Sequence, residues 1–172
     1  MPAPYRTQAR SELARLRRSI DDLFLRAWDI DAESELAGDI NRYLCVRICG
    51  LLEQMMLTTG RSAVEGHSWG IGQNFALSWL ERSKNPSADT LEAFIGRFSS
   101  AWRDDLVALL KEEERRSRIN SLVGIRNDVA HGKNQGVSTG QAFDYYVLVV
   151  EIVDHFLDRL EPVPGALSSP LP

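Results

Sequence analysis

Phe143, Tyr146, Val150, Val153, Leu157 and Leu160 follow one another at alternating steps of three and four residues. Only an α-helix, with about 3.6 residues per turn, brings all of these side chains to one side. A helix this long with one continuous apolar face must bury that face against something. No segment of the chain shows the two-residue alternation of a half-buried strand. Its partners are therefore helices, and the expected architecture is an all-α, antiparallel bundle of five to seven helices with short links.

Other segments supply those helices. Leu13, Leu16, Ile20, Leu23 and Ala27 place a first helix over about Thr7 to Trp28, with Arg10, Arg15, Arg17, Arg18 and Arg26 around its other faces. An acidic link, Asp29 to Glu33, precedes Ser34, a residue type that caps helix N-termini. A second helix carries Ile40, Leu44, Ile48, Leu51, Leu52 and Met55 and is expected to fade near Thr59-Gly60. Arg61 to Gly72, holding His67 and Trp69, reads as the most irregular stretch, followed by a helix over Gln73 to Arg82 that Asn85-Pro86 ends. Asp89-Thr90-Leu91-Glu92 and Ser138-Thr139-Gly140-Gln141 both fit capping boxes. Between them, Trp102 to Val129 reads as one or two helices, with any break near Lys111 to Arg116. Gly132 to Gly136 is a loop, and Pro162-Val163-Pro164-Gly165 closes the last helix.

The chain has 172 residues, 44% hydrophobic and 26% charged, enough for one core without staples. We read residues 1–161 as one domain and residues 162–172, rich in proline and serine, as a disordered tail. Two cysteines, Cys45 and Cys49, sit one helical turn apart with no further ligands in view, so they read as small core residues, not a metal site. No apolar run approaches the roughly 18 residues that span a membrane, and the N-terminus lacks the apolar stretch of a secretory signal. A cytoplasmic location without membrane attachment is the expectation. The net charge of −4 argues against broad, non-specific nucleic-acid binding but leaves room for a focused basic site.

Chemistry concentrates in Arg126-Asn127-Asp128-Val129-Ala130-His131-Gly132. Residues five apart on a continuous helix point roughly 140° apart. Arg126 and His131 can approach one concave spot only if the helix ends before His131, and Gly132 favours such an ending. An imidazole that titrates near neutrality can take a proton from a ribose 2′-OH or give one to a leaving 5′-oxygen. A guanidinium can hold phosphate oxygens in pairs and stabilise the charge that develops on them. Asn127 is placed to orient either group. Arg115, Arg116 and Arg118 before the segment, and Lys133 after it, would line a locally basic RNA groove.

The arginine, four residues and histidine of Arg126 to His131 resemble the motif of the HEPN superfamily, many of whose members are metal-independent ribonucleases or toxins. Asn127-Asp128-Val129-Ala130-His131-Gly132 is similar to the RiboL-PSP-HEPN-like branch in particular. Arg47-Ile48-Cys49-Gly50-Leu51-Leu52-Glu53 resembles the arginine, glycine and glutamate pattern in an early helix of such chains. The likeness covers about Arg10 to Leu160. It implies a HEPN-type bundle, an RNA substrate, no cofactor, and a homodimer in which two motifs build one composite site. It implies Arg126, His131 and Asn127 as catalytic residues, with Glu53, Arg47 and Asp128 supporting, and an antitoxin or defence-system partner. Some relatives carry a tyrosine two positions after the histidine, which a partner nucleotidyltransferase modifies. Here that position is Lys133.

Blander readings stand beside these. Arg126 could pair structurally with an acid such as Glu53, and His131 could simply close a helix C-terminus. Arg47 and Glu53 could belong to a buried structural ion pair. His67 reads as an exposed loop residue, and His155 as the polar edge of the last helix. The charge run Lys111 to Arg118 is ordinarily a solvated face. Trp28, Trp69, Trp79 and Trp102 read as core or interface. The competing functional classes are a non-cleaving HEPN module that binds RNA, nucleotide or protein, and a helical scaffold.

Overall fold

A computed structural model describes residues 4–32, 34–80 and 85–160. The expected disordered tail, Glu33 of the acidic link and the end of the expected third helix at Arg82 lie outside these residues. Seven α-helices occur among those described: α1 Pro4–Trp28, α2 Glu35–His67, α3 Gly70–Leu80, α4 Ala88–Ile95, α5 Ser100–Lys111, α6 Arg115–Ala130 and α7 Thr139–Leu160. A single 3-10 turn, Glu112–Glu114, joins α5 to α6. Among the described residues there is no strand, and no helix is long and apolar enough to cross a membrane.

The core forms around α2, whose Leu44, Ile48, Leu51, Leu52 and Met55 are all essentially inaccessible to solvent. Cys45 and Cys49 are buried there as free thiols, and burial raises both to a pKa of about 12. They are small core residues, as read from the sequence. The apolar face of α7 also goes inward but is rotated from the expected stripe: Val149, Ile152, Val153 and Phe156 are at 0% exposure, whereas Phe143 is exposed and Val150 only partly buried. Direction follows from the contacts. Phe24 packs edge-on against Phe143, Asp21 accepts a bond from the Tyr146 hydroxyl at 2.6 Å, and Arg17 meets Asp154 at 2.9 Å. As α1 ascends α7 descends, so the two are antiparallel. Arg47 on α2 reaches back to Ser19 on α1, while Gln54 to Glu65 face Gln8 to Glu12, so α1 and α2 are antiparallel too. The neighbouring α2 and α7 consequently run the same way.

Ser34 caps α2 as expected, its side chain accepting from the Ala37 amide at 3.2 Å. The far end of α2 differs from expectation. The helix does not fade at Thr59-Gly60 but continues to His67, so most of the stretch expected to be irregular is helical. The reason is tertiary. A Cβ on Gly60 would come within 2.8 Å of Phe94 and 3.1 Å of Leu80. Gly60 is a packing glycine, and its helix penalty of about 1 kcal/mol is offset by the close approach of α3 and α4. His67 ends the helix, with Nδ1 2.9 Å from the Ala63 carbonyl oxygen, and the reversal falls at Gly70, where φ is +65°.

The first expected capping box is also displaced. Ser87, not Asp89, caps α4 by accepting from the Thr90 amide, because Asp89 and Glu92 are taken by Arg116 of α6. Of the second, the cap itself holds, Ser138 accepting from the Gln141 amide at 3.1 Å, while the Gln141 side chain donates to the Tyr145 hydroxyl. The break between α5 and α6 falls at Glu113 and Glu114, both left-handed (φ 46° and 56°). Trp69, read as core or interface, is 86% exposed at the start of α3, a helix in which no residue is buried. Trp28 is half-exposed against Phe24 and Phe143, and the Arg97 guanidinium lies 3.6 Å over the Trp79 ring.

Candidate active site

The site begins with how α6 ends. Its last helical residue is Ala130, His131 is the cap, and Gly132 takes φ +72°. The Gly132 amide donates to the Val129 carbonyl at 3.0 Å and the Lys133 amide to the Asp128 carbonyl at 2.9 Å. This pair of bonds is a Schellman ending, which needs a residue tolerant of left-handed backbone at the glycine position. The expected helix end thus falls where Gly132 indicated.

Upstream, Arg126 turns toward α2. Its Nη2 donates to Glu53 Oε1 at 3.0 Å and its Nη1 to Asn127 Oδ1 at 3.2 Å. Both partners of the ion pair are mostly shielded from solvent, the side chains being 34% and 25% exposed. The guanidinium therefore has a fixed direction, set by one carboxylate and one amide oxygen. It points into a cleft of about 300 Å³ between α1, α2 and the end of α6. Arg47 reaches the same cleft from α2, and its Nη atoms donate to Ser19 Oγ at 3.0 Å and to the Tyr43 hydroxyl at 3.1 Å. Arg47 does not pair with Glu53; Glu53 belongs to Arg126.

His131 is exposed; its imidazole makes no hydrogen bond among the described residues, interacts electrostatically with Asp128, and does not line the cleft that Arg126 enters. Within one chain the guanidinium and the imidazole are neighbours on one helix end without sharing a concave site. Asp128 lies between them. Its carboxylate accepts from Lys133 Nζ at 2.8 Å and Gln135 Nε2 at 2.6 Å, bonds that hold its pKa below the usual carboxylate value. Asp128 and Lys133 thereby clip the loop after the motif back onto α6.

The remaining basic residues are placed differently from the expected groove. Arg115 pairs with Glu151 at 2.9 Å and with Glu112, Arg116 pairs with Asp89 and Glu92, and Arg118 donates to the Asp144 carbonyl at 3.1 Å. They face acids and carbonyls from α4 and α7, roughly 15 Å along the helix axis from Arg126 at its rise of about 1.5 Å per residue. Sequence reasoning missed the partners Ser19, which lies 28 residues from Arg47, and Gln135, whose bond to Asp128 depends on how the loop after Gly132 folds back. His155 takes no part: it is half-buried on α7, its Nε2 lacks a partner, and burial lowers its pKa to about 4.

An all-α bundle with an arginine and a histidine closing its penultimate helix defines a class of protein, and the comparison with families agrees. The chain belongs to the RiboL-PSP-HEPN family, whose model matches residues 11–162. No curated protein and no solved structure matches it.

Proposed function

We propose that this chain is a metal-independent endoribonuclease of HEPN type that cleaves RNA at a composite site across a homodimer. The observation that carries the reading is the end of α6, where Arg126 is aimed by Glu53 and Asn127 while the His131 imidazole stands exposed just past the last turn, without a hydrogen bond among the described residues. An imidazole free of hydrogen bonds is accessible to a substrate.

In this reading the His131 imidazole takes the proton of a ribose 2′-OH, and the freed oxygen attacks the adjacent phosphorus. The bond from phosphorus to the 5′-oxygen breaks, and an imidazolium supplied by His131 of a second copy protonates that oxygen. The products carry a 2′,3′-cyclic phosphate and a 5′-hydroxyl. Arg126 stabilises the charge on the non-bridging oxygens, and its pre-set direction means little reorganisation is needed. In the proposed dimer the ends of the two α6 helices form the isologous contact, so that Arg126 of one copy meets His131 of the other and their separation within one chain is bridged. A toxin or defence role, held in check by an antitoxin or defence-system partner in the cytoplasm, goes with this activity.

Total cellular RNA and tRNA incubated in EDTA with wild type and His131→Ala provide the test. Discrete fragments ending in cyclic phosphate are expected from wild type alone, with unchanged circular dichroism in the variant. Equal fragmentation by both proteins would sink the assignment. A non-cleaving module that binds RNA, nucleotide or a protein partner is the second reading. The neutralised arginines of α6 and the net charge of −4 favour it.

A further inference from the structure

The cleft that Arg126 enters has walls that phosphate chemistry does not require. Leu16, Ile20, Val46 and Leu51 line it from α1 and α2, and Leu16 and Val46 are only partly covered. Gly50 lines it as well, and a Cβ built there meets nothing within 4 Å. Gly50 is thus unlike Gly60 on the same helix, where a Cβ would collide with Phe94. The missing side chain keeps open space, not a close contact.

Charge distinguishes this cleft from the next part of the same groove. Arg47 is held by two neutral oxygens, those of Ser19 and Tyr43, so its positive charge meets no acid among its hydrogen-bond partners. Arg126 is balanced by Glu53. The cleft therefore carries two cations and one anion. Farther along the same α1–α2 groove, beyond Gln54, the balance reverses: Glu12 and Glu65 outnumber Arg61. An anionic strand is favoured beside Arg47 and disfavoured one step farther on. A volume of about 300 Å³ is at the small end of ligand pockets.

We propose that this cleft is a nucleotide subsite, taking one unstacked nucleotide of the RNA beside the scissile phosphate, its base between Leu16 and Val46 and its phosphate at Arg47. Apolar walls suit the faces of a base, which single-stranded RNA can turn outward. The unneutralised guanidinium suits the adjoining phosphate. Gly50 sets how deep the base can enter. The assignment of the ligand as RNA rests on the ribonuclease reading above, but occupancy of the cleft is measurable without cleavage.

Binding of the four nucleoside 5′-monophosphates and of inorganic phosphate would be followed by calorimetry on wild type, Gly50→Ala, Gly50→Leu and His131→Ala. Expected is at least tenfold tighter binding of one or more nucleotides than of phosphate in wild type, Gly50→Ala and His131→Ala. In Gly50→Leu that advantage should vanish. Both glycine variants should melt no lower than wild type, since alanine and leucine are better helix formers and the space is open. Nucleotide binding no tighter than phosphate, or unchanged in Gly50→Leu, overturns the subsite. If nucleotides bind as expected but wild type leaves RNA intact, the subsite stands and the ribonuclease reading falls. If RNA is cleaved and Gly50→Leu has an unaltered KM for short RNAs, the reverse holds.

Discussion

At the start of α6 three arginines are satisfied by oxygens of neighbouring segments: Arg115 by Glu151 and Glu112, Arg116 by Asp89 and Glu92, Arg118 by a backbone carbonyl of α7. Ile119, Leu122 and Val123 on the same half are buried. At the other end no residue is buried, Arg126 faces a cleft, and the His131 imidazole faces solvent without a hydrogen bond among the described residues. The first half is fastened by core packing and several pairings, while the second is held through Ile125 and the Arg126–Glu53 pair and leaves its polar end open. A guanidinium between two carboxylates contributes to the fold and has little left for a phosphate. A guanidinium with one carboxylate behind it and open space before it is aimed.

The comparison breaks first, and most visibly, on activity. Arg126→Ala should lower RNA cleavage on the order of 100-fold or more, the usual cost of removing a group that stabilises developing charge. Arg116→Ala should stay within a few-fold of wild type in the same assay while losing about 1 kcal/mol of stability in urea titration, as its partners are only partly shielded. Equal loss of cleavage in the two variants would mean that both ends of α6 bind RNA.

A smaller effect tests the ending of α6. Gly132→Ala forces a Cβ onto a residue at φ +72°, and should cost about 1 kcal/mol by thermal unfolding. Cleavage should fall with it, since the same turn positions His131. A variant as stable as wild type would show that the Schellman turn is not held in solution.

The smallest effect concerns the clip from Asp128 to Lys133 and Gln135. The folded carboxyl has a pKa below its ordinary 3.8, so the unfolded chain takes up the proton first as pH falls. The stabilisation is therefore complete above 3.8 and lost as pH drops below it, through the folded value. Wild type and Asp128→Asn should differ slightly in melting temperature near neutrality and converge in acid. A difference that persists at the acid end would assign it to something other than the carboxylate charge.

Much of this was legible in the residues themselves. The spacing of Phe143 to Leu160 marks α7, Ser34 marks the start of α2, and Gly132 marks the end of α6, because each depends on local geometry. The grouping of Arg126, Asn127 and Glu53 was also within reach, although the single-chain separation of His131 from the cleft was not. The readings that failed share a cause. Gly60 looks like a helix stop and is a contact point for Phe94; Asp89 looks like a cap and is an ion-pair partner for Arg116.

The sequence by itself determined where helices form, how most of them begin and end, and which short segment gathers an arginine, an asparagine and a histidine at one helix end. Those properties follow from neighbours a few residues apart. Only the tertiary structure decided which glycine packs and which leaves a cleft, and which arginines are neutralised. It also decided that Arg47, whose hydrogen-bond partners are neutral, stands beside Arg126. These depend on what residues far away in the chain bring to each side chain, and charge and space are settled only when those partners arrive.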